Sequence, residues 1–209
     1  TKNPATKEAI WTGLEAGVPK PLMPYSPAIR AGDWVFIAGL IASDFQTGLA
    51  PEVVNSNSYL DNELALQSNF VLRNLASTIK ACDCDINKNM VRMWQWLVSE
   101  NPSQSDFHKG DNWPSMTLKP YLNIRDTIVN SPAPPSSYLG VRELLCLGTA
   151  LEVDMICLDD EHQPQIIEAP KGISTASGGH SCGMRRGDWV LVDAGDIIMR
   201  DLAEIVSST

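Results

Sequence analysis

The spacing of apolar and polar positions along the chain predicts a series of strands and helices. An apolar run around the Gly32-Asp33 turn predicts a first strand over 31–39. The stretch 59–81 contains no Gly or Pro and repeats its apolar and small residues at helical spacing, which predicts a helix. The remaining predicted elements are a strand over 90–98, a helix over 116–129, strands over 136–144 and 149–158, and one short N-terminal helix around 8–14.

The order of these elements indicates an α+β fold. Helices that alternate with strands in so short a chain favour one mixed sheet with two helices on one face. The other face of the sheet then needs a cover, and a second subunit is the simplest one.

Two segments of the chain repeat each other. Residues 26–35 and 181–190 align at a constant offset of 155 with six identical positions, including Gly-Asp-Trp-Val in both. We therefore divide the chain into an N-terminal arm (1–24), a domain (25–158), a linker (159–180) and the start of a second, incomplete repeat (181–209). The chain is either a fragment of a longer tandem protein or lends its tail to a neighbouring unit. The alternative is a chance likeness of two unrelated turns.

Composition and charge exclude several classes of partner. A formal net charge of −9 argues against nucleic acid or an anionic membrane as the main partner. No apolar run approaches the ~20 residues of a membrane span, and no secretory signal follows the N-terminus. Five cysteines without the spacing of a disulfide scaffold favour reduced thiols and a cytoplasmic location. We expect no metal, because Cys82 and Cys84 have no further ligands at a suitable spacing.

The order of elements and several motifs resemble the RidA/YjgF/UK114 family of imine deaminases over roughly residues 20–158. The segments that carry the resemblance are Met-Pro-Tyr-Ser-Pro-Ala-Ile at 23–29, Gly-Asp-Trp-Val-Phe-Ile-Ala-Gly at 32–39, Gln67 and Asn74-Leu75, the helix around Asn123, Pro-Pro-Ser-Ser at 134–137, and Leu-Glu-Val-Asp at 151–154.

The resemblance implies a chorismate-mutase-like fold in a trimeric or pseudo-trimeric assembly, with sites in the clefts between subunits. It also implies hydrolysis of an enamine or imine without a cofactor. The partners would be a small acidic substrate and further copies of the chain, or a second RidA-like half. Tandem members that lack the family arginine resemble the 2-aminomuconate deaminases of aromatic catabolism, and 2-aminoacrylate is a related substrate type.

The resemblance also assigns roles to particular residues. Glu152 would position the water that attacks the imine carbon, and Tyr25 and Asn123 would line the pocket. Each has a simpler explanation from the sequence alone. Glu152 could lie on a solvated outer face of an edge strand, Tyr25 could be a packing anchor, and Asn123 could be a solvated helix residue.

One expected residue is missing, because Ser136 stands where the family has an arginine. A hydroxyl group cannot replace the bidentate, permanently charged guanidinium. Ser136 and Ser137 could still bind a carboxylate through their donors, and Arg142 (by strand parity) or Arg30 (at the rim) could supply the cation. Two hypotheses therefore stand: an imine or enamine deaminase, or a catalytically inactive structural or ligand-binding domain of a tandem assembly.

Overall fold

The structure is a computed structural model that describes residues 6–12, 17–54, 62–98, 113–168 and 181–193, with the backbone alone for 113–117. Its helices are α1 (Pro51–Val54), α2 (Glu63–Ala81) and α3 (Trp113–Ile128). Its strands are β1 (Lys7–Ile10), β2 (Ala28–Ala31), β3 (Trp34–Ile41), β4 (Met90–Val98), β5 (Ser136–Val141), β6 (Leu151–Leu158), β7 (Gln165–Ile167), β8 (Gly183–Arg186) and β9 (Trp189–Val192).

Six strands form one mixed sheet in the order β1-β2-β3-β6-β4-β5. The β4–β5 pair is parallel and every other neighbouring pair in this sheet is antiparallel. Helices α2 and α3 pack against each other, and their buried side chains share one core with the sheet. The predicted α+β fold, a mixed sheet with two helices on one face, is confirmed.

Helix α2 begins directly after a residue that caps its first turn. The side chain of Asn62 accepts a hydrogen bond from the backbone N–H of Ala65 at 3.1 Å and so caps the first turn. Its apolar positions, among them Leu72, Leu75 and Ile79, are buried against the sheet. In α3, Pro114 is tolerated because the N–H groups of a first turn have no helical partner.

Alternation along the strands divides the sheet into two faces. On β4, Met93 and Gln95 are buried towards the helices, whereas Trp94 and Trp96 point to the other side. On β6, Glu152 pairs with Trp96 and points to this second side. We call the side without helices the open face. The predicted placement of the two tryptophans on one face is confirmed.

The three C-terminal strands form a second, antiparallel sheet in the order β7-β8-β9. This sheet covers part of the open face. Met184 is buried in a cluster with Val91 and Leu158, and the ring of Trp189 meets that of Trp34 edge-on at 4.9 Å.

One local expectation from the sequence is corrected. The prediction of a short helix around 8–14 is wrong for the first residues of that stretch, because they belong to β1 (Lys7–Ile10), which pairs antiparallel with β2. A four-residue segment gains too little from helical hydrogen bonds, whereas the edge of β2 offers backbone partners. Strand β7 lies within the stretch 159–180 that was predicted to be a linker. The division of the chain into arm, domain, linker and repeat stays a prediction.

No helix in the described ranges is long and apolar enough to cross a membrane.

Candidate functional site

A cleft of about 600 Å³ opens on the sheet surface beside Glu152. Its walls come from the segment before β2, from β2 and β3, from the turn after β3 and from the loop before β6. Most of the lining is apolar and includes Ile29, Phe36 and Phe45. Among the described lining residues, the polar side chains are Tyr25, Ser26 and Glu152.

An irregularity in β3 makes room for the carboxyl group of Glu152. The pairing of β3 with β6 shifts between Ile37 and Leu40, which leaves Ala38 and Gly39 outside the regular register. A Cβ atom at Gly39 would lie 2.1 Å from Oε1 of Glu152. The carboxyl group therefore lies against bare backbone, and only glycine leaves that space free.

The surroundings of Glu152 favour its protonated form more than water does. Burial raises the pKa of the Glu152 carboxyl group, and the negative charge of Asp154 raises it further. Asp154 lies two residues along the same face and accepts a hydrogen bond from Nε1 of Trp96 at 2.8 Å. A carboxyl group with a raised pKa can both accept and release a proton closer to neutral pH.

Tyr25 lies at the same cleft as Glu152. Burial raises the pKa of the Tyr25 phenol, and the charge of Glu152 raises it further. The phenol therefore keeps its proton and can donate a hydrogen bond to a ligand. Of the residues expected from the sequence, the structure brings Tyr25 and Glu152 together.

Asn123 and Ser136 lie on the other side of the sheet. Asn123 is exposed on α3, which packs on the helix-covered face. Ser136 is fully buried and its hydroxyl group donates to the carbonyl oxygen of Pro134 at 2.8 Å. The sheet separates both side chains from the Glu152 cleft, so neither lines it.

The two candidate arginines do not line the cleft either. Arg30 follows Ile29 in β2 and therefore points to the opposite face, where Nη1 binds Asp159 at 2.8 Å and Nη2 donates to the carbonyl oxygen of Cys82. Arg142 is exposed just beyond the end of β5. Within the described part of the chain, the cleft has no arginine or lysine in its lining.

A second polar cluster, on the open face, was missed at the sequence level except for Ser137. Nη2 of Arg92 donates to Oγ of Ser137, and this hydroxyl group donates to Oδ1 of Asp193 at 3.1 Å. Alternation within β4 would have placed Arg92 on the face of Trp94 and Trp96. No local pattern indicates its pairing with a residue about one hundred positions later.

None of the five cysteines forms a disulfide bond. Among the residues whose positions are described, no three His, Cys, Asp or Glu side chains are arranged to hold a metal ion. Cys82 and Cys84 are both buried near the end of α2, and burial raises the pKa of the Cys82 thiol to about 12.

Comparison with known proteins finds relatives over part of the chain. A RutC family protein of Pyrococcus horikoshii is 37% identical over 95 residues, which cover 46% of this chain and 65% of that protein. The chain thus spans less than two thirds of the length of this curated relative. No family model matches the chain.

Solved structures share the fold of most of the chain. RidA from an Antarctic Psychrobacter species superposes with a TM-score of 0.51 at 20% identity, and the match covers 72% of this chain and 98% of that one. TdcF of E. coli, solved with bound serine, also gives a TM-score of 0.51 at 20% identity, covering 73% and 99% of the two chains. At this level of identity the likeness concerns the fold.

Proposed function

Because this chain belongs to the RutC/RidA family, we propose that it hydrolyses a small imine or enamine in the cleft beside Glu152. The observation that carries the proposal is the position of this carboxyl group. It is half-buried, has a raised pKa, lies against the backbone of Gly39 and shares the cleft with the phenol of Tyr25.

The proposed chemistry needs one positioned water molecule and one carboxylate. Glu152 accepts a proton from the water while the water oxygen bonds to the imine carbon. Glu152 passes this proton to the nitrogen, which gives a carbinolamine. The hydroxyl proton of the carbinolamine then moves through the carboxylate to the nitrogen while the carbon–nitrogen bond breaks, and ammonia and a carbonyl compound leave. An enamine enters the same route after it tautomerises to the imine. Proton transfer by a positioned side chain contributes about 10²- to 10⁴-fold to such a step.

We propose a small, amino-acid-sized substrate. The E. coli TdcF structure holds serine, which supports this size class for the present cleft. An acidic substrate of the 2-aminoacrylate or 2-aminomuconate type, the latter placing the protein in aromatic catabolism, also needs a cation for its carboxylate. The described lining of the cleft supplies none.

We therefore propose that a neighbouring chain completes the cleft in a trimer-like assembly, or that a second RidA-like half does so. Ile29 and Phe36 support this proposal because they line the cleft yet remain 42% and 45% exposed. Apolar side chains of this size gain free energy when a partner covers them. Five cysteines that form no disulfide bond support a cytoplasmic location.

A second candidate function is a ligand-binding domain without turnover. Ser136 favours it, because its hydroxyl group is buried and bonded to Pro134, so nothing at that position binds a carboxylate. Under this alternative the cleft binds a small ligand and releases no ammonia.

The proposal is tested by measuring ammonia released from imines that an amino acid oxidase generates in the assay. We expect the Glu152→Gln variant to lose at least about 100-fold in kcat/KM, since the amide cannot accept the proton. Glu161→Gln, which alters an exposed carboxylate outside the cleft, is the matched control and should leave the rate unchanged. Turnover that survives Glu152→Gln removes this residue from the mechanism. Ligand binding by the intact chain without any turnover favours the second candidate.

A further inference from the structure

The second copy of the repeated hairpin, formed by β8 and β9, makes polar contacts with the open face of the six-stranded sheet. We call this hairpin the tail and its polar contacts the junction. Ser26 and Ala38 of the first copy line the Glu152 cleft. Their equivalents at the offset of 155 are Ser181 and Asp193. Asp193 belongs to the Arg92 cluster, and Ser181 precedes Cys182, whose carbonyl oxygen accepts a hydrogen bond from the N–H of Asp193. The position equivalent to the cleft residue Ala38 therefore carries a carboxylate that reaches the Arg92 cluster.

The geometry of this junction is that of a bound carboxylate. Asp193 places Oδ1 3.8 Å from Nη1 of Arg92 and 3.1 Å from Oγ of Ser137. Nη1 of Arg92 also donates to the carbonyl oxygen of Val192 at 3.3 Å, and the guanidinium carbon lies 4.9 Å from the ring centre of Trp94. Only 13% of the Arg92 side chain and 5% of the Asp193 side chain are exposed.

A further donor at the junction has no partner. The hydroxyl group of Ser181 is buried, and within the described ranges no hydrogen-bond partner reaches it. The backbone N–H of Ser181 donates to the carbonyl oxygen of Ala133, which leads into the segment of Ser136 and Ser137. Buried hydroxyl groups are rarely left unpaired, so this one has room for a further polar partner.

We propose that Arg92 and Ser137 form a binding site for a small carboxylate ligand, and that the tail closes this site by placing the carboxylate of Asp193 on Arg92. A buried guanidinium without an anion is costly, so the site favours one carboxylate at a time. A free carboxylate and the side chain of Asp193 therefore compete for Arg92. The tail acts as an internal competitor for the ligand.

The test is the binding of succinate to the full chain, measured by isothermal titration calorimetry. We expect Asp193→Ala to bind succinate at least tenfold more tightly than the unmodified protein, because it frees the guanidinium. Asp188→Ala, which removes an exposed carboxylate from the turn of the same hairpin, is the matched control and should change nothing. Succinamide, which lacks the charge, should not bind.

Two further variants make the result decisive. Adding Arg92→Gln to Asp193→Ala should abolish the gain in affinity. Asp193→Asn keeps the shape of the side chain and removes its charge, so it should show a smaller gain and serves if the alanine variant does not fold. The proposal is overturned if neither variant of Asp193 binds succinate more tightly, or if the gain persists without Arg92.

Discussion

The two copies of the Gly-Asp-Trp-Val hairpin share their backbone geometry but not their surroundings. The turn glycines, Gly32 and Gly187, both adopt the left-handed conformation with φ of 62° and 57°. After each hairpin the same backbone hydrogen bond forms at 2.9 Å, from Ala38 to Pro27 and from Asp193 to Cys182. The local sequence is therefore sufficient to specify the hairpin.

What lies opposite each hairpin decides what its side chains do. Ile29 of the first copy is 42% exposed at the cleft, whereas its equivalent Met184 is 4% exposed against the open face. The exposure of the next residue, an arginine in both hairpins, differs in the opposite sense. Arg30 is held by Asp159 on the helix-covered side, whereas Arg185 is exposed. The same motif thus forms a wall of the Glu152 cleft in the first hairpin and packs on the open face of the sheet in the second.

The largest loss of activity should follow from filling the space beside Gly39, which the carboxyl group of Glu152 uses in the first hairpin. In Gly39→Ala the new methyl group would lie 2.1 Å from the present position of Oε1 of Glu152, so the carboxyl group would have to move. We expect ammonia release to fall about 100-fold, as for loss of the carboxylate itself. The flexible end of the glutamate side chain can move away, so the free energy of unfolding should change by less than about 1 kcal/mol.

The control for this prediction is the same substitution in the Glu152→Gln background. The carboxylate is already absent there, so Gly39→Ala should cause no further loss of activity. A full additional loss would mean that Gly39 acts on catalysis by a route other than Glu152.

A smaller effect is expected on stability: the same kind of substitution should lower the free energy of unfolding more in the second hairpin than in the first. Met184→Ala removes a side chain that is buried with Val91 and Leu158 and should lower the free energy of unfolding by about 2 kcal/mol or more. Ile29→Ala, at the equivalent exposed position, should cost less than about 1 kcal/mol in the isolated chain. Urea unfolding followed by tryptophan fluorescence measures both. Equal losses would contradict the difference in burial between the hairpins.

Much of the fold could be predicted from local patterns in the sequence. Strand β4 (Met90–Val98) has the predicted bounds, and α2 ends at Ala81 as predicted. Both have long, regular apolar periodicity that tertiary contacts do not override. Strand β1 (Lys7–Ile10) was missed because four residues are too few to display a period, and only its pairing with β2 determines its structure.

The candidate site could be predicted only in part. The resemblance to the RidA family placed Tyr25 and Glu152 at one pocket, and the structure brings the two side chains to one cleft. Ser136 was expected at the site from the resemblance, and Arg30 was expected at its rim because it borders the first strand. Neither signal says which face of the sheet the helices cover, and both side chains point to the helix-covered side. The register shift that makes room at Gly39, and the pairing of Arg92 with Asp193, depend on contacts between distant segments.

The pH dependence of ammonia release tests the central claim most directly, namely that the Glu152 carboxylate accepts the proton. The carboxyl group must be ionised to do so, and burial together with Asp154 raises its pKa. The rate should therefore rise with pH along an acid limb that lies above the ordinary pKa of glutamate, and Asp154→Asn should move this limb to lower pH. The account predicts that the limb disappears in the slow residual reaction of Glu152→Gln. An unchanged limb in that variant would contradict it.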